Sequence, residues 1–326
     1  ALGVPKGRNG HTVPRAAIMP QPMESEMNMH ATLTTSKTSA IANKAMLASL
    51  KIKMWSGRKL DKEVTAETNR DHGAAADAGR YNKMLIGKEA LAPLVAIANR
   101  ARGEHYARTL AWADDGARIL SAVGYLGYME AMRGLRIEFD AAAVAFVADY
   151  ERQVELAKDR LNGMFKAADY DSVDAMAKRF GFDKKILPMP SAADFRVDIG
   201  NAEADRIRAD IEADMNAAVT EAMRDVYQRI ADAVKHMADK LTESRQTDKG
   251  AVPAIFRDSL VENVRELVAL LPSLNITGDA VLAEIADRMG ALCKYDASAL
   301  RDDKGAREEV AKAAASILAD VSDYMA

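Results

Sequence analysis

A short basic stretch in the first third of the chain has the residue types that contact phosphate. Five cations and one tryptophan occur close together: Lys51, Lys53, Trp55, Arg58, Lys59 and Lys62. Cations release counterions from a nucleic-acid backbone, and an aromatic ring can stack on an exposed base. The stretch therefore predicts a nucleic-acid-binding surface. The alternative is that these side chains are solvated cations without a ligand.

The net charge of −3 conceals a basic region. Between Lys44 and Leu110, thirteen Lys and Arg stand against seven Asp and Glu, which leaves +6 there and −9 in the rest of the chain. A basic region can meet phosphate or an acidic partner surface. It can equally pack against the acidic first half of a long helix that begins near Asn201. Both interpretations stay open.

A second group of charged residues alternates along a short extended segment: Asp194, Arg196 and Asp198. Successive side chains of a strand point to opposite faces, so these three share one side while the apolar residues between them share the other. We predict that this charged row binds a partner protein. A solvated row of ion pairs is the alternative.

Residues suited to enzyme chemistry are scattered. The five histidines are not spaced for one zinc ion, and the sequence has no glycine-rich phosphate loop. The single cysteine, Cys293, has no nearby histidine, which favours a structural thiol over a nucleophile. Asp114 and Asp115 are explained more simply as a helix N-cap than as an acid and a base. We expect no catalytic residue, metal or cofactor, unless the fold gathers Asp114, His105 and Arg118 in one deep pocket.

The elements that carry these groups are predicted to be mainly α. Aromatic residues make up only 6% of the chain, while Ala and Met are frequent, which favours close helix packing. The stretch Asn201–Lys249 contains no Gly or Pro and has apolar residues every three or four positions, as a long helix does. We predict an elongated helical bundle built on this one central helix, with the short extended segment before it.

The chain divides into four predicted parts: a disordered leader at 1–35, an N-terminal helical region at 36–200 with an irregular segment at 169–200, the long helix at 201–249, and a C-terminal helical bundle at 250–326. Periodicity in the second part predicts helices at about 36–54, 88–109, 116–133 and 141–168. The extended segment needs neighbours, so we expect it to cross the helices or to form a hairpin with residues 135–139.

Five motifs occur in this order along the chain: Trp55-Ser-Gly-Arg-Lys, Thr109-Leu-Ala-Trp-Ala-Asp-Asp-Gly-Ala-Arg, Asp169-Tyr-Asp-Ser, Arg179-Phe-Gly-Phe, and Pro188-Met-Pro followed by Asp194-Phe-Arg-Val. Through them the chain, from about Ser36 to its end, resembles a family of bacteriophage and prophage proteins of unknown function. That family has no established activity or catalytic residues. Its genes often lie near a MoxR-type AAA+ ATPase and a von Willebrand A-domain protein, or near replication and recombination genes.

The resemblance implies an adaptor or a DNA-metabolism accessory. Our first hypothesis is a non-enzymatic phage accessory protein that acts as a protein-binding adaptor or scaffold, in an AAA+ ATPase and von Willebrand A-domain system. The second is a DNA-binding accessory of phage replication or recombination that uses the basic N-terminal region. We also consider a homo-oligomer, because the apolar stripe of the long helix wanders and needs several neighbours.

The sequence also predicts where the protein works. It has no apolar run of about 18 residues, so we expect no membrane span. One cysteine excludes an internal disulfide, which fits a reducing compartment. We therefore expect the protein in the cytoplasm of a bacterial host.

Overall fold

The computed structural model describes residues 41–112, 116–192, 201–247, 250–253, 256–322 and 324–325. The predicted leader at 1–35 and the extended segment with Asp194, Arg196 and Asp198 lie outside these ranges. The described part is mainly α, as predicted. It also contains antiparallel strands that the sequence did not predict.

The described elements follow one another in this order: β1 (Ala45–Lys53), β2 (Arg58–Leu60), α1 (Lys62–Asp71), β3 (Asn82–Met84), α2 (Lys88–Arg108), β4 (Leu110–Ala111), β5 (Arg118–Ser121), α3 (Tyr125–Leu161), α4 (Val173–Ala177), β6 (Gly181–Pro188), α5 (Asn201–Thr242), β7 (Ser244–Thr247), β8 (Gly250–Pro253), α6 (Ser259–Leu274), α7 (Ala280–Leu292), α8 (Ala297–Asp302) and α9 (Lys304–Ser322). Two short 3₁₀ turns, Asn162–Met164 and Ala167–Asp169, lie between α3 and α4.

A four-stranded antiparallel sheet has the order β4-β5-β1-β6. The predicted helix at 36–54 is therefore wrong over β1. Residues 50–53 alternate Leu-Lys-Ile-Lys, a strand pattern, but the Ala and Met of the same stretch favour helix. Pairing with β5 on one side and β6 on the other decides the outcome, because tertiary contacts override a weak local preference.

The two faces of β1 contribute to two hydrophobic cores. Ala45 and Leu47 point into a core formed mainly with α5 to α9. Ala48, together with the half-buried Leu50 and Ile52, points into a core formed with α2, α3 and β6. A strand buried on both faces has little polar alternation at its centre, which is why it resembles a helix segment in the sequence.

The helix α3 runs without interruption for 37 residues, where two helices were predicted. Asp140, the expected N-cap of the second helix, lies in its interior and pairs with Arg136 at 3.5 Å. Residues 135–139 are helical, so they cannot form the suggested hairpin. The predicted helix start at 116 is also wrong, since β5 occupies 118–121.

The long helix α5 has 42 residues and ends at Thr242, seven residues before its predicted end. Its buried stripe includes Met215, Val226, Ile230, Met237 and Leu241, as predicted, and packs against α6 and α9. The prediction of a bundle built on this helix alone is not confirmed, because α3 organises the second core. None of the described helices is long and apolar enough to cross a membrane.

Candidate functional site

The basic stretch forms one side of a cleft between the end of β1, β2 and the segment around α4. Its charged lining residues are Lys53, Arg58, Lys59, Asp169, Asp171 and Arg179, and Trp55 lies among them. We call this the basic cleft; its volume is about 400 Å³. Four of the six residues predicted to bind nucleic acid line it. Lys51, on the exposed face of β1, and Lys62, at the start of α1, lie outside it.

A glycine turn directs the chain from β1 into this cleft. Gly57 has φ +66°, in the left-handed region that favours glycine. A Cβ atom at this position would meet Leu91 at 3.2 Å and Ile86 at 3.3 Å. The turn therefore combines an unusual backbone conformation with close packing on α2, and it fixes the position of Arg58 and Lys59.

Trp55 is mainly a packing residue. Its ring contacts Tyr150 edge-on, with centroids 5.9 Å apart, and lies 6.1 Å from Phe146, so it is half-buried in the second core. Contacts of this kind hold the ring in one orientation. Trp55 therefore forms a rigid wall of the basic cleft, and only its remaining exposed part is free to meet a ligand.

A buried ion cluster lies beneath the cleft. The Lys83 ammonium contacts Asp61 Oδ2 at 3.0 Å and Asp169 Oδ2 at 2.6 Å, and it donates to the Met164 carbonyl at 2.9 Å. Lys59 pairs with the other oxygen of Asp169 at 2.8 Å. Lys83 is only 2% exposed. Two carboxylates and one carbonyl surround this ammonium, and the ion pairs raise its pKa, so Lys83 is a protonated structural cation and not a nucleophile.

The pKa values of this cluster favour the charged forms. The hydrogen bond from Lys83 lowers the pKa of Asp61, and the N–H of Val64 lowers it further. Burial alone would raise the pKa of Asp169 and lower that of Lys83, but the ion pairs reverse both directions. Because Asp61 is also the N-cap of α1, the cluster connects α1, β3 and the turn before α4.

The charges of the cleft do not cancel. Arg179 pairs with Asp171 at 2.7 Å, and Lys59 pairs with Asp169. Two further cations remain: Lys53, whose ammonium donates to the Lys178 carbonyl at 2.7 Å, and Arg58. The Arg58 guanidinium makes no hydrogen bond or ion pair with any described residue, and it is exposed. The lining thus has an excess of two positive charges.

Of the residues considered for an enzyme site, His105 and Arg118 are described, and both make structural contacts. His105 is 5% exposed, its Nδ1 lies 3.0 Å from the Tyr128 hydroxyl, and burial followed by the charge of Arg118 lowers its pKa to about 4. Arg118 donates to Thr109, at 2.8 Å from the hydroxyl, and lies over the Tyr106 ring. His105 is thus a neutral core residue. Asp114 and Asp115 lie outside the described residues.

Cys293 and the potential metal ligands can be assessed where the structure describes them. Cys293 ends α7 half-buried, and burial raises the pKa of its thiol, which disfavours the reactive thiolate. Within the described ranges, no group of three or more His, Cys, Asp or Glu side chains could hold a metal ion.

Sequence reasoning missed the buried cluster and the acidic side of the cleft. Asp61 could have been recognised as a helix N-cap, because it precedes an acidic first turn. The structural role of Lys83 could not be recognised from the sequence, because its carbonyl partner Met164 is 81 residues away along the chain. No protein-family model, curated protein or solved structure matches this chain.

Proposed function

We propose that the protein is a non-enzymatic accessory protein that binds the phosphate backbone of DNA at the basic cleft. The observation that carries this proposal is the Arg58 guanidinium, which pairs with no described residue, at a cleft with an excess of two positive charges. A guanidinium can donate two parallel hydrogen bonds to a phosphate group. As the resemblance implies, we infer that the protein serves a phage or prophage in the bacterial cytoplasm.

The carboxylates of the cleft do not prevent phosphate binding in this proposal. Asp171 already accepts a hydrogen bond from Arg179 Nε at 2.8 Å and lies 2.7 Å from Nη2 of the same guanidinium, and Asp169 contacts both Lys59 and Lys83. Their charges are therefore compensated within the protein. Lys53 and Arg58 remain as the two cations for the phosphates, and Lys51 on the neighbouring exposed face can extend the contact.

The test is a fluorescence-anisotropy titration of labelled single-stranded and duplex DNA at two salt concentrations. We expect the double variant Lys53→Glu/Arg58→Glu to bind at least tenfold more weakly at low salt and to lower the slope of log K against log salt by about 2, since each phosphate contact contributes about 0.9. Lys59 is left intact because it belongs to the ion cluster. Comparing the two DNA forms identifies which is bound.

The matched control is Lys235→Glu/Lys240→Glu, which makes the same change of charge on exposed positions of α5. This control should bind DNA nearly as the unmodified protein does. Equal losses in both double variants would mean that only the net charge matters. No binding at low salt would overturn the proposal.

A protein-binding adaptor is the second candidate, and the edge strand β6 favours it. This strand pairs with β1 on one side, while no described strand pairs with its other side. A free strand edge offers backbone donors and acceptors to an extended segment of a partner. The exposed Lys185 on β6 favours an acidic segment, and α3, which packs against β6, would then provide rigid support.

We expect the adaptor to capture the MoxR-type AAA+ ATPase or the von Willebrand A-domain protein named by the resemblance. Lys185→Glu should reduce capture several-fold, because it places a carboxylate beside the acidic segment. Lys235→Glu, an exposed substitution on α5, should not change it. Failure to capture either partner would remove this candidate without affecting the DNA proposal.

A further inference from the structure

The outer face of α3 has large apolar side chains in contact with solvent. Leu126 is 76% exposed, Ile137 is 65% exposed and Val144 is 70% exposed. These residues are 11 and 7 positions apart, close to three and two helical turns, so they lie on one line along the helix. The opposite face, with Tyr128, Met132, Phe139 and Phe146, is buried in the second core. We call this exposed line the α3 stripe.

Small residues accompany the stripe. The same side of α3 carries three small residues, each seven positions from the next: Gly134, Ala141 and Ala148. All three are exposed, and a Cβ atom at Gly134 would meet no other atom within 4 Å. Without long side chains on that side, another helix can approach closely. Three exposed charged residues, Glu130, Arg133 and Asp140, alternate with the apolar residues along the same line. Large exposed apolar side chains that are grouped on one helix face and bordered by polar residues are typical of an interface.

Two charged residues flank Ile137 and reveal which helix would fit. Arg133, four residues before Ile137, makes no hydrogen bond or ion pair with a described residue. Asp140, three residues after it, has only the exposed pair with Arg136 at 3.5 Å. This basic-apolar-acidic order is self-complementary when the same helix runs in the opposite direction.

We propose that the α3 stripe is a two-fold interface with a second copy of this chain, in which the two α3 helices pack antiparallel with their centre near Leu135. In that register, Leu126 of each copy lies beside Val144 of the other. The same register places Asp140 of each copy opposite Glu130 of the other, and Arg133 lies only about 4.5 Å further along the axis. Arg133 of each copy can therefore pair with Asp140 of the other and offset the charge of Glu130, and this arrangement occurs twice. The proposal is independent of DNA binding, because the basic cleft is not part of the stripe.

The contact is small, which determines its strength. From Leu126 to Val144 the stripe is about 27 Å long, at about 1.5 Å per residue. A single helix pair of that length buries less than the roughly 800 Å² per partner of a standard interface. We therefore expect a dimer that dissociates at concentrations on the order of 10 µM, not an obligate one.

Sedimentation equilibrium of the full chain from about 1 to 200 µM tests the association. The unmodified protein should pass from monomer to dimer, and Ile137→Arg should weaken the dimer at least tenfold. The control is Leu156→Arg on the same helix, since Leu156 is 50% exposed but points about 100° away from the stripe. Circular dichroism checks that both variants keep their helix content. A monomer at every concentration, or equal effects of both variants, would overturn the proposal.

Disulfide cross-linking tests the antiparallel direction in a Cys293→Ser background. A chain with both Leu126→Cys and Val144→Cys should form covalent dimers on oxidation, because the two positions meet across the interface. Leu126→Cys alone should not, since the two copies of that residue are about 27 Å apart along the axis. Covalent dimers of the single variant would indicate a parallel pair and contradict the proposed geometry.

A charge swap tests the proposed ion pair. Arg133→Asp should weaken the dimer, and Arg133→Asp/Asp140→Arg should restore it.

Discussion

Replacing Lys83 with methionine is expected to destabilise the fold by about 3–5 kcal/mol, the usual cost of removing one partner from a buried ion pair. The substitution leaves Asp61 and Asp169 buried without the ammonium that both contact, at 3.0 and 2.6 Å. Met164 also loses a donor to its carbonyl. Urea denaturation at pH 7 measures the loss.

The destabilisation should depend on pH. The folded pKa values of Asp61 and Asp169 lie below their ordinary value, so these groups add stability above about pH 4 that is lost as the pH falls through the folded pKa. In Lys83→Met, burial without the cation raises both pKa values, and protonation then relieves the unpaired charge. The difference in unfolding free energy between the two proteins should be largest near neutral pH. It should begin to shrink as the pH falls through the raised pKa values of the variant, above about pH 4, and shrink further below about pH 4, where the unmodified protein loses its own contribution.

The matched control is Lys166→Met. Lys166 pairs with Glu63 at 2.7 Å, but both side chains are well exposed. Exposed pairs contribute about 0–1 kcal/mol, so this variant should be nearly as stable as the unmodified protein. If the two lysine variants lost similar amounts, the buried cluster would not have the structural role assigned to it.

Replacing Arg229 with methionine is expected to cost about 2–4 kcal/mol, because charged hydrogen bonds of a partly buried guanidinium are lost together. Arg229 forms a two-point contact with Asp225, at 3.2 and 2.7 Å. It also donates to the carbonyls of Ala107 at 3.1 Å and Thr109 at 2.9 Å, at the end of α2. Since α5 belongs to one core and α2 to the other, this one side chain connects the two.

Thermal and urea denaturation measure this loss, with Arg224→Met as the control on the same helix. Arg224 is 51% exposed and its nearest pair, with Glu221, is 3.5 Å long, so about 0–1 kcal/mol is expected. Arg118 lies 3.9 Å from Asp225 and already donates to the Thr109 carbonyl at 3.2 Å, so it keeps part of this contact in the variant, whereas the Ala107 carbonyl loses the Arg229 donor. A loss equal to that of the control would show that the cores are held together by apolar packing alone.

Helices with a strong local signal were predicted well from the sequence. The apolar periodicity placed α2 within one residue of its end, and Asp279, which precedes an apolar run in the sequence, is the N-cap of α7. Both signals depend on residues within a few positions of one another. The same holds for the buried stripe of α5, where Val226, Ile230 and Met237 repeat at helical spacing.

Features that depend on distant residues were not predicted. The strand β6 is paired with β1 across more than a hundred residues. Period-two alternation is limited to residues 50–53 of β1 and is absent from β6, so the pair could not be recognised from either strand alone. In the basic cleft, the basic stretch could be predicted from the sequence because its cations are close together along the chain. The carboxylates that neutralise part of it, Asp169 and Asp171, come from a separate segment and could be assigned only from the fold.

The position of β1 in the sheet has a consequence for synthesis on the ribosome. This strand ends at Lys53, whereas its partner β6 ends at Pro188. At about 5–20 residues per second, the ribosome needs roughly 7–27 s to add the intervening chain. For that time the edge of β1 that β6 later covers is open to other chains and to chaperones. We expect nascent chains stalled before β6 to be the form most prone to aggregation.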